Sequence, residues 1–116
     1  MSKILDRVPA SELKTEDLFV PQWGETVRVR EFTAGERVDF AKTSQGPDCR
    51  LATVRAVIAC TLDPENNQPV FERAHQDMLV KKSAAAVELI GEKILTLSGI
   101  LKESADELEK NSQASA

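Results

Sequence analysis

The chain has no tyrosine, one tryptophan, one histidine, two cysteines and four phenylalanines among its 116 residues. These shortages exclude several kinds of chemistry. One histidine and two cysteines, without C-x-x-C or H-x-x-x-H spacing, do not make the usual four-ligand zinc site. His75 has no identifiable orienting partner, so it reads as a solvated surface residue and not as a general base. No glycine-rich loop follows a strand, which leaves no phosphate cradle. The carboxylates at Glu16, Asp17, Glu103, Asp106, Glu107 and Glu109 lack the alternating oxygen-ligand pattern of a calcium loop and read as decoration of solvated surfaces. The expectation is a protein without catalytic residues, metal or cofactor.

No apolar run approaches the roughly 20 residues that cross a bilayer. The start, Met1 to Arg7, lacks the apolar segment of a secretion signal, so the expected location is the cytoplasm. A net charge of -4 and a pI near 5.0 argue against nucleic acid as a partner, because phosphate neutralisation needs clustered Lys and Arg. Cys49 and Cys60 fall on one expected helix, roughly 16 Å apart along its axis, too far for a disulfide.

What is present is an ordinary globular composition, 41% hydrophobic and 29% charged, of a size suited to one domain. The pattern predicts an α+β fold, mainly α-helical, as a single domain with a small N-terminal antiparallel β-hairpin. Residues 1–14 show no periodicity and are expected to be a flexible segment; residues 15–101 form the compact domain; residues 102–116 comprise an acidic helix and a disordered tail. The hairpin runs from Leu18 to Trp23 and from Thr26 to Phe32, with its turn at Gly24-Glu25 and Trp23 packing beside it. Val27 and Val29 point to one face, Arg28 and Arg30 to the other. That arginine face, with Trp23, is the candidate partner-binding surface.

Thr33-Ala-Gly-Glu36 has the spacing of a capping box and starts a helix, on which Val38 and Phe40 supply little apolar surface. Gln45-Gly-Pro-Asp48 breaks it, with Asp48 placed to cap a second helix from Cys49 to Leu62. Its stripe is Leu51, Val54, Ile58 and Leu62, with Val57 alongside. After the turn-rich Asp63 to Pro69, Val70-Phe71 is expected to form at most a short strand at the edge of the hairpin. A short helix covers Arg73 to Val80. Ser83 caps a helix over Ala84 to Ser98, striped by Val87, Ile90, Ile94 and Leu97 and stopped by Gly99-Ile100.

The segment Val20-Pro-Gln-Trp-Gly-Glu-Thr-Val-Arg-Val-Arg-Glu-Phe-Thr-Ala-Gly-Glu-Arg37 resembles the amino-terminal signature of the tail assembly chaperone family of long-tailed (siphovirus-type) bacteriophages and prophages. Gln68-Pro-Val-Phe71, Lys82-Ser-Ala-Ala-Ala-Val87 and Leu97-Ser-Gly-Ile100 are similar to that family's later landmarks. Where the family has a Gly before its second strand element, this chain has Asn66-Asn67, and Asn also tolerates a left-handed backbone. The resemblance implies a protein of the host cytoplasm that binds and solubilises the tape measure protein and is absent from the mature virion. Tail tube subunits and further copies of the chain are additional candidate partners. It also implies a programmed frameshift near the end of the chain, for which Lys110 and Asn111 are the candidate point. The principal alternative is a small connector or tail-completion subunit retained in the particle; a regulatory module such as an anti-repressor is a third reading.

Overall fold

The computed structural model describes residues 3–9 and 12–101. The acidic segment after Leu101, including Lys110 and Asn111, lies outside the described residues. In chain order the elements are α1 (Lys3–Arg7), β1 (Thr15–Val20), β2 (Glu25–Arg30), α2 (Ala34–Gln45), α3 (Ala52–Cys60), β3 (Thr61–Leu62), α4 (Gln76–Leu79) and α5 (Ala84–Leu97). The fold class is α+β, as expected, but the hairpin is not the first element. Lys3 to Arg7 make a short helix before it, with no buried residue.

β1 and β2 pair antiparallel with Val20 opposite Glu25, so four residues, Pro21 to Gly24, make the turn. The expected turn at Gly24-Glu25 is therefore displaced. Trp23 belongs to the loop and Glu25 to the strand. The reason is local: Pro21 has no amide to donate to a ladder, and Gly24 adopts a left-handed φ of 64° that brings its amide onto Val20 O at 2.9 Å.

The second expected helix is shorter than its stripe. Cys49–Leu51 form a 3-10 turn, the α-helix ends at Cys60, and Thr61-Leu62 swing out as the third strand, with Val29 opposite Thr61 and Arg28 opposite Leu62. Leu62 satisfies the helical period of the sequence yet is buried as a strand residue. Asp48 makes no capping bond to this segment and instead pairs with Arg55 at 3.5 Å. Val70 donates to Thr61 O at 3.0 Å, so the Val70-Phe71 segment lies against β3 and does not reach the hairpin edge.

Other expectations hold in detail. Thr33 Oγ1 accepts from the Glu36 amide at 3.2 Å and Glu36 Oε1 accepts from the Thr33 amide at 3.0 Å, completing the capping box of α2. Ser83 caps α5 through the Ala86 amide. At the other end the Gly99 amide bonds Thr96 O and the Ile100 amide bonds Leu95 O, at 3.1 and 2.9 Å, with Gly99 at φ 75°. This is the double bond pattern of a Schellman stop.

The core lies where α5 and α3 cover the valine face of the sheet. Val20, Val29, Val57, Ile90 and Ile94 are fully buried, each contributing on the order of 1.5–3 kcal/mol by removing its side chain from water. Gly91 lets the two helices approach: a Cβ there would stand 2.5 Å from Thr53 Cγ2. By contrast α2 buries no residue. It is held by its cap, by Phe40 against Phe32 with ring centroids 5.4 Å apart, and by Arg37 donating to Ser98 O at 3.0 Å.

Candidate partner-binding groove

The turn of the hairpin and the segment from Asp63 to Lys82 enclose an open, mainly apolar groove of about 510 Å³, floored by Trp23, Val27, Phe71 and Leu79. Trp23 reaches it because the turn carries the indole over the end of the sheet, where its edge meets Phe71 at 6.2 Å and 69°. Phe71 in turn touches the His75 ring at 6.2 Å. Glu25, Asp63, Glu65 and Lys82 stand around the groove with Val70 and Met78. Sequence reading located Trp23 but not its surroundings. Phe71, Met78 and Leu79 come from a segment more than forty residues away, and only the position of the Asp63 to Pro69 loop brings them under the turn.

The two arginines expected to share a surface with Trp23 occupy the opposite sheet face by strand alternation. Arg28 donates from Nε to Asp17 Oδ1 at 2.7 Å, and from Nη1 to Asn67 Oδ1 at 3.4 Å. Asn67 holds the expected left-handed conformation, φ 60°. The Arg28 bond lowers the Asp17 pKa from its ordinary value.

Arg30 is engaged inside the fold. Its Nη1 and Nη2 donate to the two Glu36 carboxylate oxygens at 2.7 and 2.9 Å, and Nη2 also reaches Ala59 O at 2.8 Å. The pKa of Glu36 is lowered first by Arg30, against partial burial, with help from Thr33. The structure thus splits the sequence-predicted set into an aromatic groove wall, an exposed ion pair and an internal clamp.

The chemistry-bearing residues are occupied locally. His75 is half-buried, not solvated as expected, and its Nδ1 accepts from the Glu72 amide at 2.8 Å. Cys60 is buried, and desolvation pushes its thiol up to about 12, so it stays protonated and weakly nucleophilic. Cys49 is an exposed free thiol. A second hollow, of about 430 Å³ between α2 and α3, mixes Glu36 and Asp39 with Arg55 and Arg73. Among the described residues no group of three or more His, Cys, Asp or Glu could hold a metal ion. No helix among them is long and apolar enough to cross a membrane.

No protein-family model and no curated protein matches the chain. Among solved structures, the bacteriophage HK97 tail assembly chaperone superposes with a TM-score of 0.63 at 20% sequence identity, covering 82% of this chain and 90% of that one. The match thus spans most of both chains. This chain has the fold of the bacteriophage HK97 tail assembly chaperone.

Proposed function

We propose that this protein is a tail assembly chaperone of a long-tailed bacteriophage or prophage, which binds and solubilises the tape measure protein in the host cytoplasm while the tail is built. The observation that carries this reading is the near end-to-end fold correspondence with the HK97 tail assembly chaperone. It is supported by the positions of the sequence landmarks. Pro21-x-Trp23-Gly24 makes the hairpin turn, Thr33 to Glu36 the cap of α2, and Leu97-Ser-Gly-Ile100 the stop of α5. The three punctuate the fold at places where geometry demands those residue types.

The physical requirement is simple. A long polypeptide with apolar helical faces aggregates unless those faces are covered until tube subunits replace the cover. The Trp23 groove supplies an apolar surface of the right kind, and the reading requires no catalytic step. Mass spectrometry of purified particles tests it: the protein is abundant in infected or induced cells and absent from finished virions. Stoichiometric recovery in virions would instead favour a connector or tail-completion subunit.

A further inference from the structure

The sheet ends differently on its two sides. At the β3 edge Leu62 bridges to Pro69, and the Val70 amide donates to Thr61 O at 3.0 Å, so returning chain with a proline closes it. The β1 edge is open. The Glu31 amide donates to Lys14 O at 2.9 Å, which fixes the phase of the ladder between β1 and β2. Hydrogen-bonded pairs alternate along an antiparallel ladder, so Lys14, Glu16, Leu18 and Val20 turn their backbone groups toward β2. Thr15, Asp17 and Phe19 turn theirs outward. Among the described residues no backbone group bonds to these outward amides and carbonyls.

We propose that this edge receives an extended segment of another polypeptide, which joins the sheet as an additional antiparallel strand beside Thr15–Val20. The unpaired groups name the occupant. A donor and an acceptor recur at every second residue, about 6.8 Å apart, which is the repeat of an extended backbone. A helix presents no such row, because its own ladder uses it. The side chains set the preferred alternation. On the outer face Phe19 is 56% exposed, next to the Asp17–Arg28 pair; on the inner face Leu18 is half-buried. The incoming strand therefore places an apolar residue beside Leu18 and a Lys or Arg beside Asp17, since β1 holds two acids and no base. Asp17 is half exposed and its carboxylate has room for a second donor.

Sheet edges are blocked against such pairing by proline, lysine, a bulge or an inward-pointing free charge. β1 has none of these. Its six residues pair in unbroken register and include no Pro or Lys. Its two charges are already engaged, Asp17 with Arg28 at 2.7 Å and Glu16 with Lys93 of α5. Recognition through the main chain tolerates many sequences, because every residue but proline carries the same donor and acceptor. The inference goes beyond the tail assembly reading: its test contains no tape measure protein, so either can fail without the other.

The test titrates the isotope-labelled full chain with the end-capped peptide Lys-Val-Thr-Val-Lys-Val-Thr, read by amide NMR shifts and hydrogen exchange. A single added strand buries far less than the roughly 1,600 Å² of a stable complex, so binding is expected at roughly millimolar peptide. The Thr15, Asp17 and Phe19 amides exchange freely without peptide and gain protection with it, while Glu16 and Leu18 change little. With its valines on the inner face, the peptide aims the amides of its threonines at β1. N-methylation of both threonines should weaken binding roughly tenfold or more, and N-methylation of two valines by less than about twofold. Phe19→Pro removes an outward donor without touching the ladder to β2 and should weaken binding about fivefold or more. Circular dichroism checks the fold of that variant; if it is lost, the two methylated peptides on the native chain decide. Equal binding of both methylated peptides overturns the proposal, as does full binding by a folded Phe19→Pro chain, a shift confined to residues away from β1, or no binding. Thr15, Asp17 and Phe19 amides already protected in the free chain assign the edge to the protein itself and equally overturn it.

Discussion

Arg30 is the residue on which the outer side of this fold converges. One guanidinium joins β2 to the cap of α2 through Glu36 and to the end of α3 through Ala59 O. Arg30→Met leaves Glu36 partly buried and without its cation, and should destabilise the protein by about 2–4 kcal/mol in urea unfolding at neutral pH. A change below about 0.5 kcal/mol would show that the clamp carries no net stability.

The same pair sets an acid limit. Glu36 is held below its ordinary value of 4.5, chiefly by the Arg30 hydrogen bonds. Its contribution is therefore fully present above that value and lost as pH falls through the lower folded one. Stability should decline from about pH 5 downward, less steeply in Glu36→Gln. Some slope persists in that variant because Asp17 is depressed by Arg28 as well.

At the scale of elements, the contact between α3 and α5 rests on the missing side chain of Gly91. Gly91→Ala would improve helix propensity by about 1 kcal/mol, yet its Cβ would stand 2.5 Å from Thr53 Cγ2. Thr is stiff at χ1 and cannot retreat cheaply. The steric effect should win, lowering stability by roughly 1–3 kcal/mol in denaturant melts. In a Thr53→Ala background the same change should be neutral or stabilising. Equal costs in both backgrounds would mean that the methyl contact is not the cause.

Sequence reading did well where an element is defined by its own residues. The Thr33–Glu36 cap, the Ser83 cap, the Gly99 stop and the alternation of Val27 and Val29 each depend on neighbours within four positions. It failed where distant chain decides. Leu62 fits the helical stripe of Val54 and Ile58, but pairing with β2 captures Thr61-Leu62 as strand and ends the helix at Cys60. Arg30 read as part of a candidate partner-binding strand face because Glu36 and Ala59 O are brought to it only by tertiary folding. The groove was half legible for the same reason: Trp23 stood out beside its turn, while Phe71, Met78 and Leu79 gave no local sign that they would complete its wall.

At the scale of the whole molecule, a small domain with its histidine and buried cysteine committed to local structure exposes an aromatic groove and an open strand edge. Those are features of a protein that works by contact. Its likeness in fold to the HK97 tail assembly chaperone, over 82% of this chain, is what the proposed role in tail building rests on. The most direct measurement of the proposed function is co-expression with a tape measure protein encoded beside this chain, comparing the soluble fraction of that protein with and without this chain. The account predicts that the partner becomes soluble and co-purifies with this chain, and that His75→Ala and Cys60→Ala variants that retain the fold perform as well. Equal precipitation of the tape measure protein with and without the chain would contradict it.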